Sequence, residues 1–575
     1  MTPTRLPTID RGRAALRRRA LPLAAAALLG AGGCSLKTDV AANGGSAGNV
    51  SHLWVTVNEV WLGTDANTPP ESGAGWNKTV LQAPVTFDLA TLGAGALQQL
   101  ASQVTTASGT YHQVHLVLAD SSDALTASAQ AVGLASNAQI TITNPSGTVA
   151  TAPLEAAVPG FGLTIPAELT LRGSLDLNGS SSTASSSGST STTPTGSSGS
   201  GSTSSTATIA VTVDGARDVL PYTFGTGTGY ILSAIAGVAD ESLSGGIAGS
   251  VDATALASGA GPVSVSAEIA DPANTHHVVV QRRVVASDGS FTLYPLPAPS
   301  SGSMSYDLVI SGAGAQTVIV RGIPVTRGTA LAPVVAQSTP FVLSAAPIVY
   351  ADVAQQSAAL PGGARVSFYQ TVPASGELPY AVDGTAVDLI SRRLPGDAFA
   401  LGGGPLSVGD YASGGAVSLA TLAPLEGNAG FVIGTDGQYR ADTLLAHPTV
   451  VSGTSSAPTP IVPPAPAFAA GYGAASLAVT LQAPAGVYDS GFVVVATGNR
   501  VVDAASVGSL LAAGGGTITI GNLPGSAASG GGVPYQVALR AWNSNTATAS
   551  FVRVATTAST QLAGGARGSV TLQLP

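Results

Sequence analysis

Short apolar runs separated by turn-forming residues recur along the whole chain. Valine and isoleucine dominate these runs, as at residues 278–280, 318–320 and 493–495, and glycine and proline interrupt the segments between them. Runs of this length with β-branched residues and flanking turns are typical of strands. Helical periodicity is visible only in short pieces such as residues 89–104, where apolar residues recur every four positions. The pattern therefore predicts a mainly β protein with one or two short helices.

A segment that occurs three times indicates how the later part of the chain is organised. Each copy consists of a turn, an alternating strand, a sharp turn and a strand that begins with an aromatic residue. The copies occupy residues 289–310 and 516–539, with a fainter one at residues 415–433. The alternation places Phe291 and Leu293 on one face of a sheet. Three spaced copies predict three small β-sandwich modules in series, after a β-rich first domain.

Changes in composition predict where these units begin and end. A stretch of almost pure serine, threonine and glycine is expected to interrupt the first domain as a flexible insertion, and a proline-rich stretch is expected to be a semi-rigid linker. The predicted divisions are a signal peptide at 1–33, a small-residue tether at 34–49, the first domain at 50–238 with its insertion at 178–206, β-sandwich modules at 243–338 and 345–451, the linker at 452–468, and a last β-sandwich module at 469–575.

The N-terminus has the three parts of a secretory signal. Residues 1–20 contain six arginines and one acid, residues 21–29 are mostly apolar, and residues 30–33 are small and precede Cys34. A positive region, a short apolar region and small residues at a cleavage site define such a signal. The apolar run is shorter than the roughly 20 residues that a membrane-spanning helix needs. The sequence therefore predicts export from the cytoplasm.

Cys34 is the single cysteine of the chain and the predicted site of lipidation. Residues 31–34 resemble a lipobox, in which the cysteine is acylated and becomes the new N-terminus; the alternative is an ordinary signal with an incidental cysteine. A lone thiol has no disulfide partner, which favours acylation, and several acyl chains give stable anchoring. Ser35 in place of aspartate resembles outer-membrane rather than inner-membrane lipoproteins. The pair Arg18-Arg19 is compatible with a twin-arginine signal or with ordinary positive charge.

Charge and composition narrow the classes of partner. Without residues 1–33 the chain has 16 basic and 30 acidic residues, a net charge near −14, and its two lysines are Lys37 and Lys78. Nucleic acid is excluded as a partner because phosphate binding needs clustered lysine and arginine. Charged residues make up 9% of the chain, against about 25% in typical proteins. Low charge with positive mean hydropathy argues against extensive disorder.

Two tryptophans are the candidate ligand-binding residues. Trp76 follows a loop rich in proline and glycine, and Trp542 lies in the last module, so either is a candidate stacking platform for a sugar. Trp54 and Trp61 are seven residues apart, which predicts opposite faces if their strand is unbroken. One of the latter pair is then expected to lie in the core.

Other chemistry-bearing residues are better explained structurally. His112 and His115 are three apart in a predicted strand and so point to opposite faces, which rules out joint binding of one metal. The pair His276-His277 is expected in a solvent-exposed loop. Asp-Gly pairs fit hairpin turns, and residues 44–48, which match a serine-hydrolase elbow, lie in the predicted tether rather than between a strand and a helix. The sequence predicts no catalytic residue, no metal site and no cofactor, and hence no enzyme.

Two regions resemble known families. The first resemblance rests on residues 55–60, the Trp76 region, and residues 87–89, 109–116, 213–214 and 230–232. Through them the first domain is similar to the bacterial lipoprotein family known as domain of unknown function 4382, which implies an envelope location and no established activity. The second resemblance rests on residues 246–251, 263–265, 288–291 and 306–310. Through them residues 243–335 resemble carboxypeptidase regulatory-like sandwiches, which are accessory modules without catalysis. The insertion at 178–206 departs from the first family.

Together these features predict a lipid-anchored cell-envelope protein with a structural, adhesive or ligand-presenting role. The outer membrane is the favoured location, and the partners are the membrane itself, through the anchor, and an envelope polysaccharide or protein. Two alternatives stay open. The sandwiches bind carbohydrate through Trp76 or Trp542, or the chain is an enzyme with an unrecognised site.

Overall fold

The computed structural model confirms a mainly β protein with two short helices in the residues it describes. Cys34, the predicted signal peptide and residues 178–205 of the predicted insertion lie outside them. The described residues are 35–45, 50–65, 75–92, 98–107, 109–121, 123–143, 149–157, 163–171, 206–214, 218–224, 227–233, 237–257, 260–299, 301–328, 334–353, 365–374, 376–386, 399–437, 440–465, 467–497, 500–527, 531–544 and 554–575.

The first module is a pair of packed sheets. Its elements are β1 (Ser35–Gly45), β2 (Val50–Gly63), β3 (Trp76–Asp88), a 3-10 turn (Leu89–Thr91), β4 (Gln98–Ala107), β5 (Gly109–Leu118), α1 (Ala127–Ala131), β6 (Gln139–Thr143), β7 (Val149–Ala156), β8 (Leu163–Leu171), β9 (Thr206–Asp214), β10 (Val219–Phe224), β11 (Gly227–Leu232) and β12 (Gly237–Asp240). One sheet has the order β12-β9-β1-β4, and the other has the order β10-β11-β7-β6-β2-β5-β8 with β3 paired to β2. Leu53 and Val55 from one sheet meet Leu100 and Val211 from the other in the core.

The predicted tether is a strand along residues 35–45. β1 lies between β4, to which it is antiparallel, and β9, to which it is parallel. Small side chains suggested a flexible segment, but neighbours on both sides satisfy the backbone N–H and C=O groups of β1, which side-chain composition does not reveal.

Residues 89–104, which were predicted to be helical, also differ from the prediction. They form the 3-10 turn and, after a gap, the strand β4. The Asp88 carboxylate caps the turn by accepting from the Ala90 N–H at 3.0 Å. A spacing of four residues is a multiple of two as well as close to one helical turn, so the same pattern fits one face of a strand. Leu92 and Leu100 from this segment are buried in the core.

The second and fourth modules are sandwiches that share the repeated segment. The second contains a 3-10 turn (Glu241–Leu243), β13 (Ser244–Asp252), β14 (Ser264–Asp271), β15 (His276–Val284), β16 (Ser290–Pro297), β17 (Met304–Ser311), β18 (Val318–Val325), β19 (Val334–Val335) and β20 (Phe341–Val342). The fourth contains β32 (Tyr472–Gln482), β33 (Ser490–Thr497), β34 (Arg500–Ser506), α2 (Gly508–Ala512), β35 (Gly515–Ser526), β36 (Val533–Trp542), β37 (Val554–Leu562) and β38 (Arg567–Gln573).

The aromatic residue of the repeat has the same role in both modules. Tyr306 is buried and its hydroxyl donates to the Pro297 carbonyl at 2.6 Å. Tyr535 does the same to the Pro524 carbonyl at 2.5 Å. Each bond ties the start of one core strand to the end of the preceding strand of the repeat. The fainter copy has Phe431 at this position, which is fully buried in the third core but has no hydroxyl to donate.

The third module shares strands with the second. Its elements are β21 (Ile348–Val353), β22 (Arg365–Gln370), β23 (Tyr380–Ala386), β24 (Phe399–Gly402), β25 (Leu406–Ala412), β26 (Ala416–Val417), β27 (Ala420–Leu422), β28 (Gly430–Gly437), β29 (Arg440–Leu444), β30 (Thr449–Val450) and β31 (Thr459–Ile461). β25 runs parallel to β18 and extends the main sheet of the second module, with β26 and β27 paired to it. Strands on both sides of the predicted boundary near residue 345 therefore belong to one sheet, and their apolar side chains share a core cluster.

Part of the predicted proline-rich linker is also structured. β31 pairs in parallel with β21, and its Ile461 is buried in the core of the third module. β31 is an edge strand in the order β24-β21-β31, where a proline such as Pro460 is tolerated because one side of the strand needs no hydrogen bond.

Arginines that are almost fully buried join the modules to one another. Arg540 of the fourth module contacts the Glu155 carboxylate of the first at 2.5 Å and donates to the Ala156 carbonyl at 2.6 Å. Arg365 of the third module pairs with Asp218 of the first, and Arg283 of the second donates to the Leu92 carbonyl at 2.9 Å. The modules therefore pack against one another as a cluster, whereas the repeats alone suggested a linear series.

Apolar side chains extend the contact between the first and last modules. Leu220 and Ile231 of the first module pack with Phe492, Val494 and Trp542 of the fourth. All five are at most 5% exposed. Arg540 and this apolar cluster together form the interface that we call the first–fourth interface.

We expect Arg540→Met to destabilise the first–fourth interface by about 3–5 kcal/mol, because it leaves the buried Glu155 carboxylate without its cation. Tryptophan fluorescence during urea unfolding measures this, since Trp542 lies in the interface. The double variant Arg540→Met with Glu155→Leu is expected to recover much of the loss. Arg567→Met, at an exposed arginine, is the control and should change stability by less than about 0.5 kcal/mol. An Arg540→Met protein as stable as its parent would contradict the role given to this arginine.

Candidate functional site

Trp542 cannot act as a stacking platform. It is only 5% exposed, and its ring meets that of Phe492 edge-on with the centroids 5.8 Å apart. The β36 strand that ends at Trp542 lies in the first–fourth interface, where the first module covers the indole. Sequence position suggested a surface residue, but the contact between two modules distant in sequence buries it.

Trp76 belongs to a group of aromatic and charged residues on the outer face of the first module. Register places Lys78 of β3, Trp61 of β2 and His115 of β5 side by side in one row across the sheet. Trp76 pairs with Gly63 in a neighbouring row. We call Trp61, Trp76, Lys78 and His115 the aromatic patch. Trp61 and Trp76 are both half-buried.

A β-bulge explains why Trp61 is on this face. The register of β2 shifts between Val57 and Glu59 against both β3 and β5. One extra residue reverses the alternation beyond the bulge, so core residues such as Leu53 and Leu62 are nine apart. Trp54 and Trp61 therefore share the outer face, and neither is a core residue. The opposite-face prediction assumed an unbroken strand.

Gly63 makes room for Trp76. A Cβ atom at residue 63 would lie 2.8 Å from the Cζ3 atom of the Trp76 ring, closer than the two atoms can approach. The Trp76 ring centroid is 6.1 Å from that of Trp61 and 5.8 Å from that of His115. The patch therefore depends on a glycine at this one position of β2.

Charged groups fix the orientation of Trp61. Its indole N–H donates to the Glu59 carboxylate at 2.7 Å, and the Lys78 ammonium lies 3.7 Å from the ring centroid. A cation over an indole face is a favourable contact. The patch thus presents indole rings beside an ammonium and a carboxylate, a combination suited to stacking on, and hydrogen bonding to, a polar ring.

His115 is the buried member of the patch and stays neutral. Burial, with a smaller contribution from the Lys78 charge, lowers the pKa of His115 to about 3.

His112, the other histidine of this strand, is half-buried. It lies at an irregularity in β5, because the register of β5 against β8 shifts between Tyr111 and Gln113. Among the described residues, no three His, Cys, Asp or Glu side chains form a group that could hold a metal ion.

The pair His276-His277 is not in an exposed loop. Both residues begin β15 and are 3% exposed. His276 Nε2 lies 3.1 Å from the Asp442 carboxylate, and His277 Nε2 lies 3.2 Å from that of Asp307. Docking of the third module covers the pair, a long-range contact that the local sequence does not indicate.

Comparison with protein families finds one match. Residues 41–158 match the model described as Domain of unknown function (DUF4382), so the chain contains this domain. The match runs from within β1 to just past the end of β7 and includes the whole aromatic patch. It supports the predicted resemblance to this domain; the lipoprotein character and the carboxypeptidase regulatory-like resemblance remain predictions.

Comparisons with individual proteins add no fold assignment. No curated protein matches the chain. A solved structure described as the Bacillus anthracis TIE protein is 8% identical, with 92% of this chain and 73% of that chain covered and a TM-score of 0.12. A tetra-tandem repeat from the extending region of a large adhesion protein is 9% identical, with coverage of 92% and 99% and a TM-score of 0.10. Scores this low describe no shared fold. No helix in the described part of the chain is long and apolar enough to span a bilayer.

We expect His115 to make the first module sensitive to acid. The unfolded chain binds a proton at this residue near pH 6.5, whereas the folded module resists protonation until about pH 3. The contribution of neutral His115 to the free energy of unfolding is therefore fully present above pH 6.5. It falls as the pH drops, and about 2 kcal/mol is lost at pH 5 from this residue alone. Urea unfolding at pH 7 and pH 5 measures the difference.

His115→Gln should reduce that pH dependence, whatever its effect on stability at pH 7. His447→Gln, at an exposed histidine, is the matched control. Equal losses between pH 7 and pH 5 in the parent and in His115→Gln would contradict the assignment.

Proposed function

We propose that this protein is a lipid-anchored component of the bacterial cell envelope with a structural or adhesive role. The observation that supports the proposal is the N-terminal sequence, where an arginine-rich segment, a short apolar run and small residues lead directly to the only cysteine, Cys34. The DUF4382 domain that follows has no established activity. A β-rich head with a sparsely charged surface is suited to contacts with envelope polymers rather than with nucleic acid.

The position of β1 gives the proposed anchor a specific geometry. β1 begins at Ser35, one residue after the cysteine, and is an inner strand of its sheet. An acylated Cys34 would therefore hold the first module directly at the bilayer surface, without a long spacer. The other three modules would be held there through their contacts with the first. Ser35 favours the outer membrane as the destination.

We expect the full-length protein expressed in a Gram-negative host to incorporate radiolabelled palmitate and to fractionate with membranes. Cys34→Ser should abolish labelling and release the protein in soluble form. Ala31→Leu, which brings the lipobox closer to its usual pattern, is the control and should keep or increase labelling. An unmodified thiol, or residues 1–33 still attached in the mass spectrum of the purified protein, would overturn the proposal.

The aromatic patch favours a second candidate function, the binding of carbohydrate. Indole rings stack on the apolar faces of sugars, and Trp61 and Trp76 are both half-buried on one outer face. Glu59 and Lys78 beside them supply an acceptor and a donor for hydroxyl groups. Trp542, the other tryptophan considered for this role, is buried and plays no part.

We expect Trp76→Ala to weaken binding of envelope polysaccharide about tenfold or more, as loss of a central aromatic contact does. Gly63→Ala should weaken it too, because the added methyl group displaces the Trp76 ring. Trp54→Ala, on the same face but stacked on His52 outside the patch, should leave binding unchanged. Glycan arrays followed by calorimetry measure these effects. No binding by the parent at millimolar sugar would remove this candidate and leave the structural role.

A further inference from the structure

The contact between the second and third modules contains two adjacent histidines that each face two hydrogen-bond acceptors. His276 Nδ1 lies 2.7 Å from the His277 carbonyl and its Nε2 lies 3.1 Å from the Asp442 carboxylate. His277 Nδ1 lies 3.3 Å from the Pro379 carbonyl and its Nε2 lies 3.2 Å from the Asp307 carboxylate. All four partners are oxygen atoms without a proton to give.

The doubly protonated form of histidine satisfies such surroundings best. A neutral imidazole has one N–H and one lone pair, whereas the imidazolium donates from both nitrogens. If a ring were neutral, one of its two nitrogens would direct a lone pair at an oxygen atom. Both residues are only 3% exposed, so little water is available to relieve that repulsion. The geometry therefore favours a bound proton at each ring.

The histidine contacts hold the two modules together. Asp442 of β29 and Pro379 just before β23 belong to the third module, and His276 and His277 belong to the second. The backbone N–H of His277 also donates to the Pro379 carbonyl at 2.9 Å. The rings are in contact with tyrosines of the third module: His277 stacks on Tyr380 with centroids 3.8 Å apart, and His276 meets Tyr369 at 4.9 Å.

The acids around the pair remain available as acceptors. Burial opposes ionisation of Asp307, but hydrogen bonds from His277, Gly322 and Tyr380 lower its pKa overall. Burial raises the pKa of Glu268, against the opposing effects of nearby groups. Both Glu268 oxygens accept hydrogen bonds, one from the Ser266 hydroxyl at 2.8 Å and one from the Ala381 N–H at 3.0 Å.

The balance of charge near the pair points the same way. In the described residues that surround the two rings, carboxylates outnumber arginines. The carboxylates are Glu268 of β14, Asp307 of β17, Glu377 before β23, Asp410 of β25 and Asp442 of β29, and the arginines are Arg282 of β15 and Arg321 of β18. Even with Glu268 counted as neutral, because burial raises its pKa, four carboxylates face two arginines. Two protons on the histidines would neutralise this excess, and the remaining facing groups, Tyr369 and Tyr380, are uncharged phenols.

We propose that the interface between the second and third modules is a two-proton binding site, closed when His276 and His277 are both protonated and loosened when they lose their protons. Histidine is the side chain that changes charge between pH 5 and 8. Because the closed interface binds protons that the open one releases, closure is favoured as the pH falls through this range. The effect has the opposite sign to that of His115, which lies in the first module.

Nitrogen-15 NMR of the full mature chain labelled at histidine tests the protonation directly. We expect one imidazolium signal from each of the two residues at pH 6: His276→Gln should remove one and His277→Gln the other, and the control His447→Gln should retain both. Asp442→Asn, which keeps the size of the side chain but removes its charge, should shift the titration of one of the two signals. Neutral-tautomer signals for both residues at pH 6 would overturn the proposal.

Hydrogen exchange tests the loosening. After correction for intrinsic rates, protection of β15 and β23 should fall at least tenfold between pH 5.5 and pH 8, while protection of β33 and β36 in the fourth module changes little. In the double variant His276→Gln with His277→Gln, protection of β15 and β23 should be low at both pH values. Equal pH dependence in the parent and the double variant would overturn the proposal, and so would pH-independent protection in the parent. If the double variant fails to fold, Asp442→Asn serves in its place, with reduced protection at pH 5.5 as the expected result.

Discussion

Buried arginine is the interaction on which the arrangement of the modules depends. Charged residues are scarce in this chain, yet Arg283, Arg365 and Arg540 each lie between two modules and are between 2% and 6% exposed. Removing a guanidinium from water is costly unless its donors are satisfied, and here carboxylates and backbone carbonyls of the neighbouring module accept from them. These contacts fix the orientation of one module relative to the next, because the hydrogen-bond donors of a guanidinium are rigid and directional. A few exact contacts thereby hold together modules whose sequence contains few charged residues.

The fold class and the repeated core could be predicted from local sequence patterns. Both depend on the alternation of apolar and polar residues and on turn residues within some 25 positions. The strands that begin at Tyr306 and Tyr535 are examples. Features that depend on pairing between residues distant in sequence could not be predicted from these local patterns. The 35–45 segment has the composition of a linker and becomes an inner strand only because β4 and β9 lie on either side of it. His276 and His277 are likewise buried by a module that lies about a hundred residues further along the chain.

The candidate site shows the same division between local and distant causes. Trp76 could be selected from its neighbours in sequence, but its partners could not. One bulged residue in β2 decides that Trp61 lies beside it, and the register with β5 adds His115 to the row. Sequence patterns do reveal one element of the patch in retrospect. Gly63 interrupts an otherwise bulky strand, and a glycine within a strand often marks a close approach by another group.

The contact between the first and last modules joins residues 383 and 384 positions apart. The apolar surface around Leu220 and Ile231 is thus covered by residues that are synthesised long after it. Any product that stops before β33 would display that surface, together with the unneutralised Glu155, to solvent. The first module therefore has a fully covered surface only in a chain that also contains the fourth module.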